Sequence, residues 1–160
     1  MKPLILGLGN ELLCDDGIGI IITRKLPGAV AEAADVIRSG QHGVALLDLF
    51  LGYRQAIIID AIQTGKHPPG TVLELIPGDL NNVSSPSPHY TGIPELIRIA
   101  REMQLDFPDD IRILAVEIED PLTVGGELTP AVEKSIEKVI PIIESYLYHW
   151  RVNEVCEKRC

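Results

Sequence analysis

One run of five residues, Ala56-Ile57-Ile58-Ile59-Asp60, constrains the fold more than any other part of the sequence. Continuous β-branched apolar residues are typical of a strand that is covered on both faces. Such strands belong to mainly parallel sheets that lie between layers of helices. The run ends on a carboxylate, and in open α/β sheets ligands bind beyond the carboxyl ends of the strands. The sequence therefore predicts an α/β protein whose functional site lies at the carboxyl edge of the sheet.

The rest of the chain alternates between strand-like and helix-like segments. Apolar patterning predicts further strands over 4–8, 35–38, 71–76 and 111–116. Helices are predicted over 17–26, 43–51 and 93–103, and from a cap at Thr129 towards Trp150, with a kink at Pro141. The alternation indicates a parallel sheet with helices on both faces. The strand over 71–76 follows a turn without an intervening helix, so we expect it to be the antiparallel member.

Length and charge restrict the class of protein. A chain of 160 residues suits one domain, which we place at 1–150, followed by a charged tail at 151–160. The net charge of −9 argues against a nucleic-acid partner. No apolar run approaches the roughly 20 residues that span a bilayer, and the first apolar run is too short for a signal peptide. We expect a cytoplasmic monomer that does not insert into membranes, and the three cysteines do not form a disulfide framework.

Polar residues follow each predicted strand and should meet at one edge of the sheet. They include an acidic pair in the first loop, a glycine-rich loop, the strand-end carboxylate, a loop histidine and three acids that we expect at the rim of a cleft: Asp15, Asp16, Ser39 to Gly43, Asp60, His89, Glu117, Glu119 and Asp120. Familiar motifs are absent from this set. A dinucleotide fingerprint needs glycine at position 12, where Leu12 stands, and the chain has neither a phosphate loop nor a serine-hydrolase elbow.

Five blocks of the sequence, spread over about positions 3 to 147, resemble the [NiFe]-hydrogenase maturation endopeptidases. In chain order they are Gly7-x-Gly9-Asn10-x-Leu12-x-x-Asp15-Asp16-Gly17-x-Gly19, Ser39-Gly40-Gln41-His42-Gly43, Ile58-Ile59-Asp60-Ala61 with Pro69-Gly70, Ser87-Pro88-His89, and Gly125-Gly126-x-Leu128-Thr129-Pro130. The first block is fairly specific by itself, and the five together in order are a strong match.

The resemblance implies a fold, an activity and a site. The fold is a three-layer α/β/α arrangement, phosphorylase/hydrolase-like, around a mixed, mostly parallel five-stranded sheet. The activity is removal of a C-terminal peptide from the nickel-loaded precursor of a [NiFe]-hydrogenase large subunit, by an endopeptidase grouped with aspartic-type proteases. Catalytic and metal-binding positions fall on Asp16, Asp60 and His89. The loop Gly40-Gln41-His42-Gly43 would contact the substrate, and the nickel would arrive with the precursor.

The chemistry of these three residues agrees with a metal but leaves the mechanism open. Two carboxylates and an imidazole suit nickel, zinc or manganese, and three protein ligands leave positions for water or substrate. One carboxylate could act as general base on a water, or the metal could polarise the peptide carbonyl. Asp16 and Asp60 could also form an aspartic dyad, although no D-T/S-G signature is present.

The sequence departs from the family pattern in the second loop. The family commonly carries Asp-Gly-Gly where this chain has Arg38-Ser39-Gly40. Arg38 and His42 could therefore tune recognition of a different large subunit. The two glycines of the loop, Gly40 and Gly43, indicate a turn with positive φ.

Structural roles compete with several functional ones. Asp60 could bind backbone amides at a strand end, and His89 could be an ordinary loop histidine. Asp15 is expected to cap the first helix. Cys14 is expected to be a small buried residue, whereas Cys156 and Cys160 form a weak candidate pair in the tail. At the level of function, the alternatives to the endopeptidase are a metal-dependent precursor-binding or chaperone module without cleavage and, ranked last, a small α/β hydrolase.

Overall fold

A five-stranded sheet organises the molecule. The computed structural model describes residues 2–82, 89 and 92–157. The strands are β1 (Leu4–Leu8), β2 (Asp35–Ser39), β3 (Gln55–Ile62), β4 (Val72–Leu75) and β5 (Asp110–Glu117), in the spatial order β2-β1-β3-β5-β4. Pairing is parallel throughout except that β4 runs antiparallel to β5. The predicted mixed, mostly parallel sheet and its antiparallel strand are confirmed.

Helices cover both faces of the sheet and give it three layers. They are α1 (Ile18–Arg24), α2 (Gly28–Ala33), α3 (Leu47–Phe50), α4 (Ile93–Glu102), α5 (Pro130–Lys134) and α6 (Ile136–Glu157), with 3-10 turns over Cys14–Gly17, Gly43–Leu46 and Pro77–Asn82. No helix in the described ranges combines the length and apolar character needed to cross a membrane.

The central strand β3 shows why the sheet must be covered twice. Its isoleucines alternate between the two faces and are fully buried on each. Ile57 and Ile59 pack in one core with α1, α5 and α6, while Ile58 packs in the other with α3 and α4. Burial on both faces is what the unbroken apolar run of β3 predicts.

Several boundaries differ from the sequence-based expectation. Strand β3 continues past Asp60 because β5 keeps pairing with it as far as Ile62 and Glu117. Helix α2 is not among the predicted helices, because Pro27-Gly28 is typical of a helix end, although proline is also tolerated at the start of a helix. Helix α6 begins after a break at Ser135 and includes Pro141. It continues across position 150 into the segment predicted as a tail.

Two glycines let the first loop and helix approach the sheet closely. A Cβ at Gly19 would lie 2.2 Å from the Ile59 carbonyl oxygen and 2.3 Å from that of Leu8, so α1 packs directly on β1 and β3. Gly9 has φ +142, and a Cβ there would meet the carbonyl oxygen of Asp16 at 2.2 Å. The loop after β1 therefore folds back over the end of the strand and brings Asp16 to the carboxyl edge.

Candidate functional site

A cleft of about 790 Å³ lies at the carboxyl edge of the sheet. Loops that follow β1, β2 and β5 form its walls, as expected for an open α/β sheet. The lining residues are Gly9, Asn10, Glu11, Leu12, Leu13, Asp16, Gly40, His42, His89, Pro121 and Leu122. Asp16 and His89, two of the three predicted site residues, thus face one space.

The third predicted residue, Asp60, lies in β3 and is fully buried. One carboxylate oxygen, Oδ1, accepts a hydrogen bond from the backbone N–H of Ala61 at 2.8 Å. The other, Oδ2, lies 3.4 Å from Nδ1 of His89. A carboxylate without solvent contact requires such partners, and a protonated His89 supplies a compensating charge.

His89 is also buried, and its contact with Asp60 is the largest influence on its pKa. The hydrogen bond to Asp60 raises the pKa of the His89 imidazole above its ordinary value of 6.5. Burial acts in the opposite direction, whereas the charges of Asp60 and Asp16 add to the increase. The site therefore favours the imidazolium form more than water does. The neighbouring Ser87 and Pro88 of the predicted block lie outside the described residues.

Asp16 completes the group from the first loop. Its Oδ2 accepts a hydrogen bond from the backbone N–H of Asn10 at 3.0 Å, which fixes the carboxylate at the cleft wall. Burial raises the pKa of Asp16, the charge of His89 lowers it, and the charge of Asp60 raises it. The three predicted residues are thus close enough for the charge of each acid and of the imidazole to act on the others.

The three side chains meet, but they are not already arranged around an ion. Across residues 2–82, 89 and 92–157, no three His, Cys, Asp or Glu side chains have the geometry of a metal site. Asp60 and His89 are turned towards each other instead. What the structure provides is a coupled acid–acid–histidine group beside an open cleft.

The predicted substrate loop borders the cleft in part. Gly40 and His42 line it, and the His42 ring lies 6.4 Å from the His89 ring in an edge-on arrangement. Gln41 is exposed and not part of the lining. Gly43 has the predicted positive φ of 60, but Gly40 is not among the residues with positive φ, so that part of the prediction is wrong. Gly40 instead lies against the backbone of Gly9.

Asp15 has a different role from the predicted helix cap. Its side chain is fully buried and makes no cap hydrogen bond to the helix that follows. It accepts hydrogen bonds from the backbone N–H groups of Glu119, Asp120 and Thr129, and from the Thr129 hydroxyl, at 2.8 to 3.1 Å. Thr129 likewise makes no side-chain cap to α5. Asp15 therefore fastens the first loop to the segment between β5 and α5, a role that sequence reasoning missed.

Other residues that the sequence associated with the site do not line the cleft. Arg38 donates from Nε to the Thr23 hydroxyl on α1 at 3.2 Å and does not line the cleft. The three acids expected at the cleft rim, Glu117, Glu119 and Asp120, are also absent from the lining. Glu117 is buried and accepts hydrogen bonds from Thr64 and Gly65.

The cysteines have no demonstrated part in the site. The Cys14 thiol is buried and donates to the Glu127 carbonyl oxygen at 2.9 Å, and burial raises its pKa, as expected of a small buried residue. Cys156 is exposed on α6, and Cys160 lies outside the described residues.

Comparison with known proteins gives a consistent family. A family model described as hydrogenase maturation protease matches residues 21–146, a range that contains Asp60 and His89 but begins after Asp16. The chain is similar to the hydrogenase 2 maturation protease of Escherichia coli strain K12, with 32% identity over 92% of this chain and 89% of the relative. It is also 27% identical to the hydrogenase expression/formation protein HupD of Thiocapsa roseopersicina, over 93% of this chain and 69% of that protein.

Solved structures agree with the sequence comparison. The hydrogenase maturating endopeptidase HybD from Escherichia coli superposes with a TM-score of 0.76 and 29% identity, covering 93% of both chains. The [NiFe] hydrogenase maturation protease HybD from Thermococcus kodakarensis gives a TM-score of 0.72 and 26% identity, over 92% of this chain and 99% of the other.

Proposed function

The chain belongs to the hydrogenase maturation protease family, and from this premise we propose that it removes a C-terminal peptide from the nickel-loaded precursor of a [NiFe]-hydrogenase large subunit. Membership makes it a hydrolase that processes a hydrogenase precursor. The proposal adds that the precursor's nickel is recognised through Asp16, Asp60 and His89.

One observation carries this proposal. A fully buried carboxylate and a buried imidazole, 3.4 Å apart, stand beside a third acid on the wall of an open cleft. Burying such groups costs stability unless they are paired, and clustered titratable groups with shifted pKa values are typical of functional sites. Two carboxylates and an imidazole are ligands that nickel accepts.

The contacts favour a metal-assisted cleavage over an aspartic dyad. In a dyad two carboxylates share one proton at close range. Here Oδ2 of Asp60 is engaged by His89, and Oδ2 of Asp16 by the Asn10 backbone. We therefore propose that the substrate's nickel is bound beside the scissile bond, where one of the acids serves as base to the attacking water. The proton that the acid takes from the water is passed to the amine of the leaving peptide.

The nickel is proposed to arrive with the substrate, not as a resident ion of the protease. The described residues contain no preformed metal site, so closing the three side chains on one ion requires them to rearrange. A precursor surface that docks at the same time as its ion can supply the free energy for that change. The ion would then act as a signal that the large subunit is complete.

The decisive experiment compares two precursors as substrates of enzyme that has been stripped of metal. Enzyme stripped with a chelator and dialysed is incubated with nickel-loaded precursor and with nickel-free precursor, and the precursor mass is measured. We expect loss of the C-terminal peptide only from the loaded precursor. Stripped enzyme that stays inactive until zinc is restored would establish a conventional metalloprotease instead.

The same experiment separates the protease from the binding module. Complex formation with the nickel-loaded precursor, without any loss of mass over many enzyme equivalents, would assign this chain to binding alone. Asp48 is an exposed acid on α3 outside the cleft lining. Asp48→Asn is therefore the matched control for Asp60→Asn, and it should leave cleavage unchanged.

A further inference from the structure

Three large apolar side chains stand exposed next to the cleft. Leu12 is 70% exposed, Leu122 is 77% exposed and Val124 is 76% exposed. Leu12 and Leu122 line the cleft that contains Asp16 and His89, and Val124 is bridged to Leu13. We refer to Leu12, Leu122 and Val124 as the apolar rim. Single exposed apolar residues are common, but a group beside a candidate site is typical of an interaction surface.

The two segments that carry the apolar rim are joined to each other by backbone hydrogen bonds. Leu13 and Val124 form an antiparallel bridge, and backbone hydrogen bonds on both sides of it join the two segments. Beneath the bridge, the buried carboxylate of Asp15 ties the first loop to the start of α5. A surface held in this way loses little conformational entropy when a partner binds.

We propose that the apolar rim docks an apolar stretch of the large-subunit precursor adjoining the bond to be cut. This inference rests on the proposed function, because the rim opens directly on the cleft where that bond would lie. A second copy of this chain seated on the rim would cover the cleft. The exposed acids Glu119 and Glu127 near the rim disfavour an acidic partner. The occupant is therefore an apolar, non-acidic segment that enters together with the nickel ion.

The test replaces rim residues one at a time. Leu12→Ser and Leu122→Ser should each raise the KM for nickel-loaded precursor about tenfold and leave kcat nearly unchanged, because they remove apolar contact outside the reacting group. Leu122→Met should restore the KM. Met103→Ser is the matched control, since Met103 is 63% exposed but does not line the cleft. Thermal melting checks that every variant is folded. We expect folding to be retained because the replaced side chains are exposed.

The outcomes distinguish this inference from the proposed function. If the original chain cuts the precursor but both serine variants keep its KM, the rim is not the docking surface and the cleavage proposal stands. If the original chain binds without cutting, and the serine variants bind about tenfold more weakly, the rim is confirmed and cleavage fails. If sedimentation shows a dimer that the serine variants dissociate, with precursor affinity unchanged, the rim is a self-interface and the inference is overturned.

Discussion

At the scale of single residues, the site depends on a buried carboxylate, Asp60, that is held beside the His89 imidazole. Asp60 is fully buried, and Oδ2 lies 3.4 Å from the His89 ring nitrogen. A change at either residue should therefore affect chemistry and titration more than it affects the shape of the fold.

Asp60→Asn keeps the size of the side chain and removes its charge. An amide is a poorer metal ligand and cannot act as a base, so release of the C-terminal peptide should fall by about 100-fold or more. The amide oxygen can still accept the Ala61 N–H, so melting at pH 8 should change by only a few degrees. Peptide release is followed by mass spectrometry. Processing close to that of the original chain would remove Asp60 from the site.

The His89 imidazole should titrate above 6.5, because hydrogen bonding to Asp60 raises its pKa. The stabilisation from this pair is fully present below pH 6.5 and is lost as the pH rises through the higher folded-state pKa. Asp60→Asn should therefore cost more stability at pH 6 than at pH 8.5. NMR of the ring protons, assigned with His89→Gln, gives the pKa directly. Equal costs at both pH values would contradict the pairing.

At the scale of elements, the sheet could be predicted better than the contacts between loops. Apolar runs are local signals, so β1 and β3 were recognisable, and strand ends indicated where Asp16 and Asp60 would meet. The role of Asp15 could not be predicted, since its partners lie 104 to 114 residues away and carry no local pattern. Helix α2 was missed because Pro27-Gly28 signals both a helix stop and a helix start.

The packing of α1 on the sheet depends on glycine at position 19, where no side chain can be accommodated. Gly19→Ala would force a Cβ to within 2.2 Å of the Ile59 carbonyl oxygen, so α1 must shift and carry the Asp16 loop with it. We expect a loss of roughly 3 kcal/mol in the free energy of unfolding, together with much slower cleavage. Urea denaturation measures the loss.

Gly28→Ala provides the control for this packing argument. Nothing lies within 4 Å of a Cβ at Gly28, and alanine is the better helix former. That variant should gain about 0.5 to 1 kcal/mol. Equal behaviour of the two alanine variants would show that α1 tolerates displacement from the sheet.

At the scale of the whole molecule, α6 contributes buried side chains to the core as far along the chain as Trp150. Trp150 is buried and donates from Nε1 to an Asp110 carboxylate oxygen at 2.8 Å, which ties α6 to the start of β5. Beyond it, the side chains of 151–156 are exposed or half-buried. We propose that the predicted boundary near position 150 marks the end of the core.

Truncation after Val152 tests that boundary. Removal of 153–160 should shift the melting temperature by only a few degrees and leave precursor cleavage unchanged, because the side chains of 153–156 are exposed or half-buried. Trp150→Ala should by contrast cost about 3 to 5 kcal/mol. Melting followed by circular dichroism compares the two. A truncated chain that does not fold would place the outer turns of α6 within the folding unit.

The long sequence separation of the Asp15 contacts has a consequence for how the protein is made. Asp15, Asp16 and Asp60 are synthesised before the partners of Asp15. Asp120 and Thr129 follow Asp15 by 105 and 114 residues. Contacts between such distant segments form late, because a long loop must close first. A nascent chain that ends before Asp120 therefore lacks the contacts that fasten the first loop. The first loop and the apolar rim therefore take their final positions only after Thr129 has been synthesised.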